Sequence, residues 1–210
     1  MRIPHANSSL YPIPKGADEA ALVMLSDIFP TGLECGVLNG KVQPGSSVVI
    51  VGAGPVGLAA MITSQLYSPS TIVVVDTDHN RLKIAKSLGA HYTIDPSDGK
   101  TEEAVKALTD GKGCETVIEA VGMPETFEIC QNLVAPGGII ANIGVHGTKV
   151  DLHLESLWAP NICWFQYVDL AHVLISSSYH NPPCRYRDNS HASEACPVPE
   201  AGSIEVDHPQ

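Results

Sequence analysis

Short runs of branched apolar residues alternate with amphipathic segments along the middle of the chain. Five such runs predict β-strands: Val48–Val51, Ile72–Val75, His91–Ile94, Thr116–Ala120 and Ile139–Ile143. Strands that alternate with helices at this spacing predict right-handed crossovers, and therefore a parallel sheet. The strands are almost wholly apolar, which is typical of a sheet covered by helices on both faces. The pattern predicts an α/β fold with a doubly wound parallel sheet.

Segments with apolar residues on one helical face predict the intervening helices. They are expected at Asp18–Ser26, Thr31–Leu38, Pro55–Tyr67, Arg81–Leu88, Glu102–Leu108 and from Pro124 onward. Asp78 stands where a side chain would cap the helix over Arg81–Leu88. A proline is favoured in the first turn of a helix, which supports a helix start at Pro124.

The last part of the chain does not continue this alternation of apolar runs and amphipathic segments. Ile162–Val168 predicts a sixth strand, but from Ser176 onward serine, proline, histidine and charged residues mix without any period, which predicts a disordered tail. The tail contains soft zinc ligands at H-x3-C and H-x4-C spacing, namely His180, Cys184, His191 and Cys196. Such loose spacing is weak evidence for a metal site, and the alternative is a disordered tail that happens to contain these residues.

Composition and charge narrow the classes of partner. The 210 residues are enough for one well-cored domain. The net charge of −11 argues against a nucleic-acid or anionic-membrane surface, and no apolar run approaches the length of a membrane span. The N-terminal residues lack the apolar stretch of a signal peptide, and the six cysteines have no regular spacing. We therefore expect a cytoplasmic protein without a disulfide framework.

The sequence VVIVGAGPVGLAA (48–60) carries the strongest chemical signal. After a buried strand, Gly52 permits a tight turn, Gly54 lets the main chain approach a pyrophosphate, and Gly57 lets the helix pack on the strand. Asp76 ends the next strand about twenty residues later, where a dinucleotide fold needs an acid for the ribose hydroxyls. Asp76 would repel a 2′-phosphate, which favours NAD over NADP. The alternative is a plain tight turn, with Asp76 as a solvated strand end.

The stretch from about Ile3 to Trp158 resembles the zinc-dependent alcohol dehydrogenases of the medium-chain dehydrogenase/reductase family. The resemblance rests on the glycine-rich loop, on VVVDTDHNRLKIAKSLGA, on VIEAVG and on GGIIANIGVHG. It implies a Rossmann domain preceded by remnants of the junction to a catalytic domain. Residues 1–40 are then the junction segment, 41–168 the NAD-binding Rossmann domain, and 169–210 an irregular tail.

The same resemblance implies roles for single positions. Thr31, with Gly32, corresponds to the contacts beside the nicotinamide, and Asp27 to the carboxylate zinc ligand of one branch of the family. Alternatively, Thr31 is a helix cap, Arg81 a solvated surface residue and Asp27 a polar helix end. The cofactor-binding positions are Gly52, Gly54, Pro55, Val56, Gly57, Asp76, Arg81, Val121, Ile143, Gly144 and Val145.

By resemblance, the reaction is the NAD-dependent, zinc-assisted interconversion of alcohols with aldehydes or ketones. In the family, the thiolate and imidazole zinc ligands come from a catalytic domain that precedes this region. The resemblance therefore predicts a truncated member of this enzyme family, with an incomplete zinc site and with NAD(H) binding retained. The alternative is a non-catalytic nucleotide-binding or subunit-pairing fragment, which forms homo- or hetero-oligomers through the cofactor domain.

Overall fold

A computed structural model describes residue 7 and residues 10–166 of the chain. Six strands form one sheet: β1 (Ser47–Val51), β2 (Thr71–Val75), β3 (Tyr92–Ile94), β4 (Cys114–Glu119), β5 (Val134–Asn142) and β6 (Cys163–Gln166). Their spatial order is β3-β2-β1-β4-β5-β6, and every neighbouring pair is parallel. This arrangement confirms the doubly wound parallel sheet that the sequence predicts.

Helices connect the strands. The α-helices are α1 (Glu19–Leu22), α2 (Ile28–Pro30), α3 (Pro55–Ser64), α4 (His79–Ser87), α5 (Thr101–Leu108), α6 (Pro124–Leu133) and α7 (Leu154–Leu157). A π-helix spans Thr31–Leu38, and 3₁₀ turns span Val23–Ser26, Gln65–Tyr67 and Pro96–Asp98. Within residues 10–166 no single helix is long and apolar enough to cross a bilayer. The bent pair Glu19–Ser26 and Ile28–Leu38 meets that test only when its two halves are combined.

The core lies on both faces of the sheet. Val48 and Ile50 of β1 belong to one buried cluster, whereas the alternating residues Val49 and Val51 belong to a second. The first cluster includes Leu82 and Ala85 of α4, and the second includes Val105 of α5 and Leu133 of α6. Because successive side chains of a strand point to opposite faces, helices on each side are needed to bury β1.

Several boundaries differ from the sequence prediction. The helix expected over Asp18–Ser26 is divided into α1 and a 3₁₀ turn. The segment Thr31–Leu38 is a π-helix, and Thr31 belongs to its first turn rather than capping it. β5 begins at Val134 instead of Ile139, because Val134 pairs with Cys114 across an irregularity in the register. The capping role of Asp78 is confirmed, since its side chain accepts hydrogen bonds from the N–H groups of Asn80 and Arg81.

The end of the chain lies outside this description. β6 covers Cys163–Gln166 of the strand expected over Ile162–Val168, and residues 167–168 are outside the described residues. The predicted tail over 169–210, with His180, Cys184, His191 and Cys196, also lies outside the described residues.

Candidate functional site

The carboxyl ends of the strands form a crevice between β1 and β4, where the strand order reverses. In open α/β sheets, ligands bind at this switch point, because the loops after the two strands diverge there. The loops that follow β1, β2, β4 and β5 all reach this crevice.

The glycine-rich loop follows β1, and its three glycines differ in backbone conformation and in what an added side chain would meet. Gly52 has φ +105°, a conformation that favours glycine, and its N–H donates to the carbonyl of Val75 at 2.8 Å. A Cβ on Gly57 would collide with the carbonyl oxygen of Gly52, whereas a Cβ on Gly54 would have no heavy atom within 4 Å. The fold therefore requires glycine at 52 and 57, while position 54 borders open space.

α3 begins directly beyond that open space. Gly54 is its extended N-cap, without a side-chain capping bond, and Pro55 occupies the first helical position. The first N–H groups of a helix have no partner within it, so they and the helix dipole suit an anion. The loop can thus hold a phosphate by main-chain groups.

Asp76 follows β2 and faces the same loop. Its Oδ2 accepts the Ala53 N–H at 2.7 Å, and its Oδ1 accepts the Asp78 N–H at 2.8 Å. An ionised carboxylate has about four acceptor sites, so two remain for a ligand. Nη1 of Arg81 lies 3.9 Å from Oδ2 of Asp76, while the rest of the guanidinium reaches towards Asp78, with Nε 3.8 Å from its Oδ2.

These residues line one continuous crevice in two parts. The first part, about 290 Å³, is bordered by Gly52, Gly54, Asp76 and Arg81, together with Thr77, Pro96, Ala120, Val121, Thr126 and others. The second part, about 370 Å³, is lined by Asp27, Thr31, Val56, Ala120, Val121, Ile143, Gly144 and Val145. Ala120 and Val121 border both parts, so the two parts adjoin. The first part bears Asp76, whereas the second, apolar part is lined by apolar residues apart from Asp27 and Thr31.

Three positions that the resemblance places near the cofactor also have packing roles. Gly32 packs against α3, where a Cβ would lie 2.6 Å from the Ala60 nitrogen. Gly57 lies within α3, and Ile143 is also a core residue that is only 5% exposed.

Asp27 is the one carboxylate that lines the apolar part of the crevice. Its Oδ1 accepts the Thr31 hydroxyl at 2.8 Å, which orients both side chains. Zinc in proteins takes three or four protein ligands, and the described residues contain no group of three or more His, Cys, Asp or Glu that could hold a metal. The described residues therefore do not fit a zinc ion by themselves.

The thiols near the core do not supply a ligand or nucleophile here. Burial, with a smaller contribution from the Glu34 charge, raises the pKa of Cys35 to about 11. Burial likewise raises the pKa of Cys114 to about 12, against a Ser47 hydrogen bond that lowers it. Because the thiolate is the reactive form, both thiols are weak nucleophiles at neutral pH.

Sequence reasoning missed a buried polar cluster under the apolar part of the crevice. Glu119 ends β4 with no solvent exposure, and its carboxylate is bonded to the following loop. Asn142 ends the neighbouring strand β5 in register with Glu119, and His146 lies next to both. The sequence signal was limited to a carboxylate at the end of the apolar run TVIE.

Comparisons with known proteins agree with this architecture. The family model described as "Zinc-binding dehydrogenase" matches residues 55–175. The chain is 35% identical to zinc-type alcohol dehydrogenase B of Aspergillus flavus, over 77% of this chain and 38% of that protein. It is 34% identical to an NADP-dependent isopropanol dehydrogenase of Clostridium beijerinckii, over 76% of this chain and 44% of that protein.

A solved structure is similar as well. The apo form of zinc dependent alcohol dehydrogenase 2 from Streptococcus pneumonia superposes with a TM-score of 0.76 at 44% identity, over 86% of this chain and 53% of that one. The chain thus spans less than half the length of the two curated relatives. The resemblance inferred from the sequence is confirmed: the chain belongs to the zinc-binding dehydrogenase family, the medium-chain zinc-type alcohol dehydrogenases, and corresponds to their cofactor-binding half.

Proposed function

We propose that this chain binds NAD(H) in the crevice between β1 and β4, as the cofactor half of an oxidoreductase that interconverts alcohols with aldehydes or ketones. The observation that carries the proposal is the placement of Asp76. Its carboxylate is fixed by the Ala53 and Asp78 N–H groups at the mouth of the glycine loop. A fixed acid beside the open space at Gly54 suits the ribose and pyrophosphate of a dinucleotide.

Each part of the crevice then has a role. The pyrophosphate would lie on the main chain of Gly54 and the start of α3, where a Cβ on Gly54 would have no heavy atom within 4 Å, with Gly52 forming the turn behind it. The adenosine ribose would hydrogen-bond to Asp76 through the two acceptor sites that the protein leaves free. The nicotinamide, which accepts or donates the hydride when bound, would enter the apolar part beside Thr31 and Val121. The apolar side chains there would pack against the ring.

Asp76 also argues for NAD over NADP. At about 4 Å, two like charges repel by about 4 kcal/mol at the effective dielectric of a protein surface, and Arg81 offsets part of this. A net penalty of about 1.4 kcal/mol corresponds to about tenfold weaker binding of NADPH. The Clostridium relative is NADP-dependent, so cofactor choice varies among the proteins that this chain resembles.

The test is a comparison of NADH and NADPH affinity for the full 210-residue chain and for Asp76→Asn. We expect the unchanged chain to bind NADH about tenfold more tightly than NADPH, and the variant to lose this preference because the charge is gone. Asp110→Asn is the matched control, since Asp110 borders a separate cleft at the other end of the strands. Its φ of +51° suits asparagine. Equal or tighter NADPH binding by the unchanged chain would overturn the assignment.

A second candidate function is cofactor binding without turnover. Asp27 favours this function, because a single carboxylate, which is bonded to Thr31, does not supply enough ligands for zinc. We therefore derive no zinc-assisted step from these residues. Incubation with NAD, Zn²⁺ and either ethanol, a secondary alcohol or a polyol tests it, since NADH formation by the purified chain would refute the non-catalytic function.

We also propose that two subunits pair, because of the position of β6 in the sheet. It is one of the two edge strands of the described sheet, and Trp164 and Phe165 on it are 42% and 36% exposed. An exposed strand edge with apolar side chains is a surface for a second sheet edge. Size-exclusion chromatography with light scattering should give twice the monomer mass. A monomer at micromolar concentration would contradict pairing through this edge.

A further inference from the structure

We propose that Glu119 is a positioning residue that fixes the two loops around the apolar part of the crevice, and so sets affinity for the nicotinamide half of the cofactor. The proposal rests on the cofactor function proposed above and assigns a role to a residue that lies outside the crevice lining. Glu119 has no solvent exposure. A fully buried carboxylate is costly unless it is hydrogen-bonded, so its partners show what it organises.

The side chain of Glu119 holds the loop after β4. Oε1 accepts the Val121 N–H at 3.1 Å and the Gly122 N–H at 2.9 Å, and Oε2 lies 3.1 Å from the same Gly122 nitrogen. Oε1 also accepts the Thr126 hydroxyl of α6 at 2.7 Å. One carboxylate thus fixes the turn that carries Val121 into the crevice.

The main chain of Glu119 holds the loop after β5. Its carbonyl accepts the Ile143 N–H at 2.8 Å and the Gly144 N–H at 3.1 Å. The two loops also touch directly, since a Cβ on Gly144 would meet both the Glu119 carboxylate and the Gly122 main chain. Glu119 therefore connects two walls of the same cleft.

Asn142 and His146 complete the cluster. Nδ2 of Asn142 donates to the Gly144 carbonyl at 3.2 Å, and Oδ1 of Asn142 lies 2.9 Å from Nε2 of His146. That nitrogen is also 3.6 Å from Oε2 of Glu119. The imidazole packs edge-on against Phe127, with ring centroids 5.7 Å apart. Among the described residues, these contacts make the Gly144–His146 turn depend on the same carboxylate.

Val121 and Thr126 also border the first part of the crevice, but the ribose and pyrophosphate contacts proposed there do not depend on the cluster. Asp76 and the glycine loop are held by bonds of their own, to Ala53, Asp78 and Val75. Loosening the Glu119 bonds would therefore move the nicotinamide walls and leave the ribose and pyrophosphate contacts in place. A residue that served stability alone would weaken both halves together.

The test compares NADH with ADP-ribose, which lacks the nicotinamide, on the full chain. Glu119→Met has a similar length but no carboxylate oxygen, so the Val121, Gly122 and Thr126 donors lose their acceptor. We expect its NADH dissociation constant to rise about tenfold while that for ADP-ribose stays within about twofold. The fluorescence of bound NADH should also fall, because the ring loses its fixed environment. Glu115→Met is the control on the same strand, since Glu115 is exposed and bonds to Ser47.

His146→Phe is a second variant, which keeps the ring packing on Phe127 and removes the nitrogen that faces Glu119. If Glu119→Met does not fold, His146→Phe alone tests the proposal, and it should also weaken NADH binding selectively. Equal losses for NADH and ADP-ribose, or no loss for either, overturn the positioning role. If the unchanged chain binds neither ligand, the proposed cofactor function fails and the positioning role fails with it. If it binds both NADH and ADP-ribose, the cofactor function stands and the variants test only the positioning role.

Discussion

Two glycines of the same loop should respond to alanine in opposite ways. At Gly54, φ is −71° and ψ 179°, which alanine adopts freely, and an added Cβ meets no heavy atom within 4 Å. At Gly57, the added Cβ collides with the carbonyl oxygen of Gly52. We therefore expect Gly54→Ala to keep stability and lose cofactor binding, and Gly57→Ala to lose stability.

The expected change in the free energy of unfolding is a sum of contributions at each substituted position. Overpacking against a rigid main-chain carbonyl costs up to about 3 kcal/mol, and the better helix propensity of alanine at 57 returns about 1 kcal/mol. The net loss of about 2 kcal/mol corresponds to a fall in melting temperature of about 4–8 °C for a chain of this size. At Gly54, the loss of a favourable N-cap glycine is about 1 kcal/mol and is offset by a less flexible unfolded chain, worth about 0.4–1 kcal/mol.

Thermal unfolding with and without NADH measures both effects. At NADH equal to about 100 times the dissociation constant, binding stabilises the unchanged chain by about 2.7 kcal/mol. If the methyl group of Gly54→Ala weakens binding about tenfold, the same NADH concentration gives about 1.4 kcal/mol, so the ligand-induced rise in melting temperature should halve. The reasoning is refuted if Gly54→Ala keeps the full rise, or if Gly57→Ala melts with the unchanged chain.

Two further predictions concern exposed and buried groups. Hydrogen bonds from the Asn80 and Arg81 N–H groups lower the pKa of Asp78, so its contribution to α4 is present above about pH 4 and is lost as the pH falls through that lowered pKa. Asp78→Asn caps without titrating and should reduce the acid sensitivity of urea unfolding between about pH 6 and 3, whereas an unchanged pH slope would contradict the capping role. Iodoacetamide at pH 8 should modify the exposed Cys163 and leave Cys35 intact in the native chain, because burial raises the pKa of Cys35 to about 11; mass spectrometry showing rapid labelling of Cys35 would contradict this.

The sheet and the glycine loop could be predicted from the sequence because their signals are local. An apolar strand such as Val48–Val51 is readable from consecutive residues, and Gly52 and Asp76 sit at fixed distances from the strands they follow. The π-helix over Thr31–Leu38 could not be predicted. The structure sets Gly32 and Gly36 against α3, a tertiary contact that no local period records.

The Glu119 cluster escaped prediction for a related reason. A carboxylate at the end of a strand is normally interpreted as a solvated strand end, as Asp76 was in its alternative interpretation. What stabilises the buried Glu119 is a set of donors from the following loop and from Thr126 of α6, with His146 beyond β5 lying 3.6 Å from its carboxylate. Such convergence depends on the order of strands in the sheet, which places β4 beside β5.

The central claim is that the crevice of this chain holds a dinucleotide. The most direct measurement is a titration of the purified 210-residue chain with NADH, following nicotinamide fluorescence and competing with ADP-ribose. The account predicts saturable binding of one NADH per chain that ADP-ribose displaces. Fluorescence that never saturates, from a chain shown to be folded by circular dichroism, would contradict it.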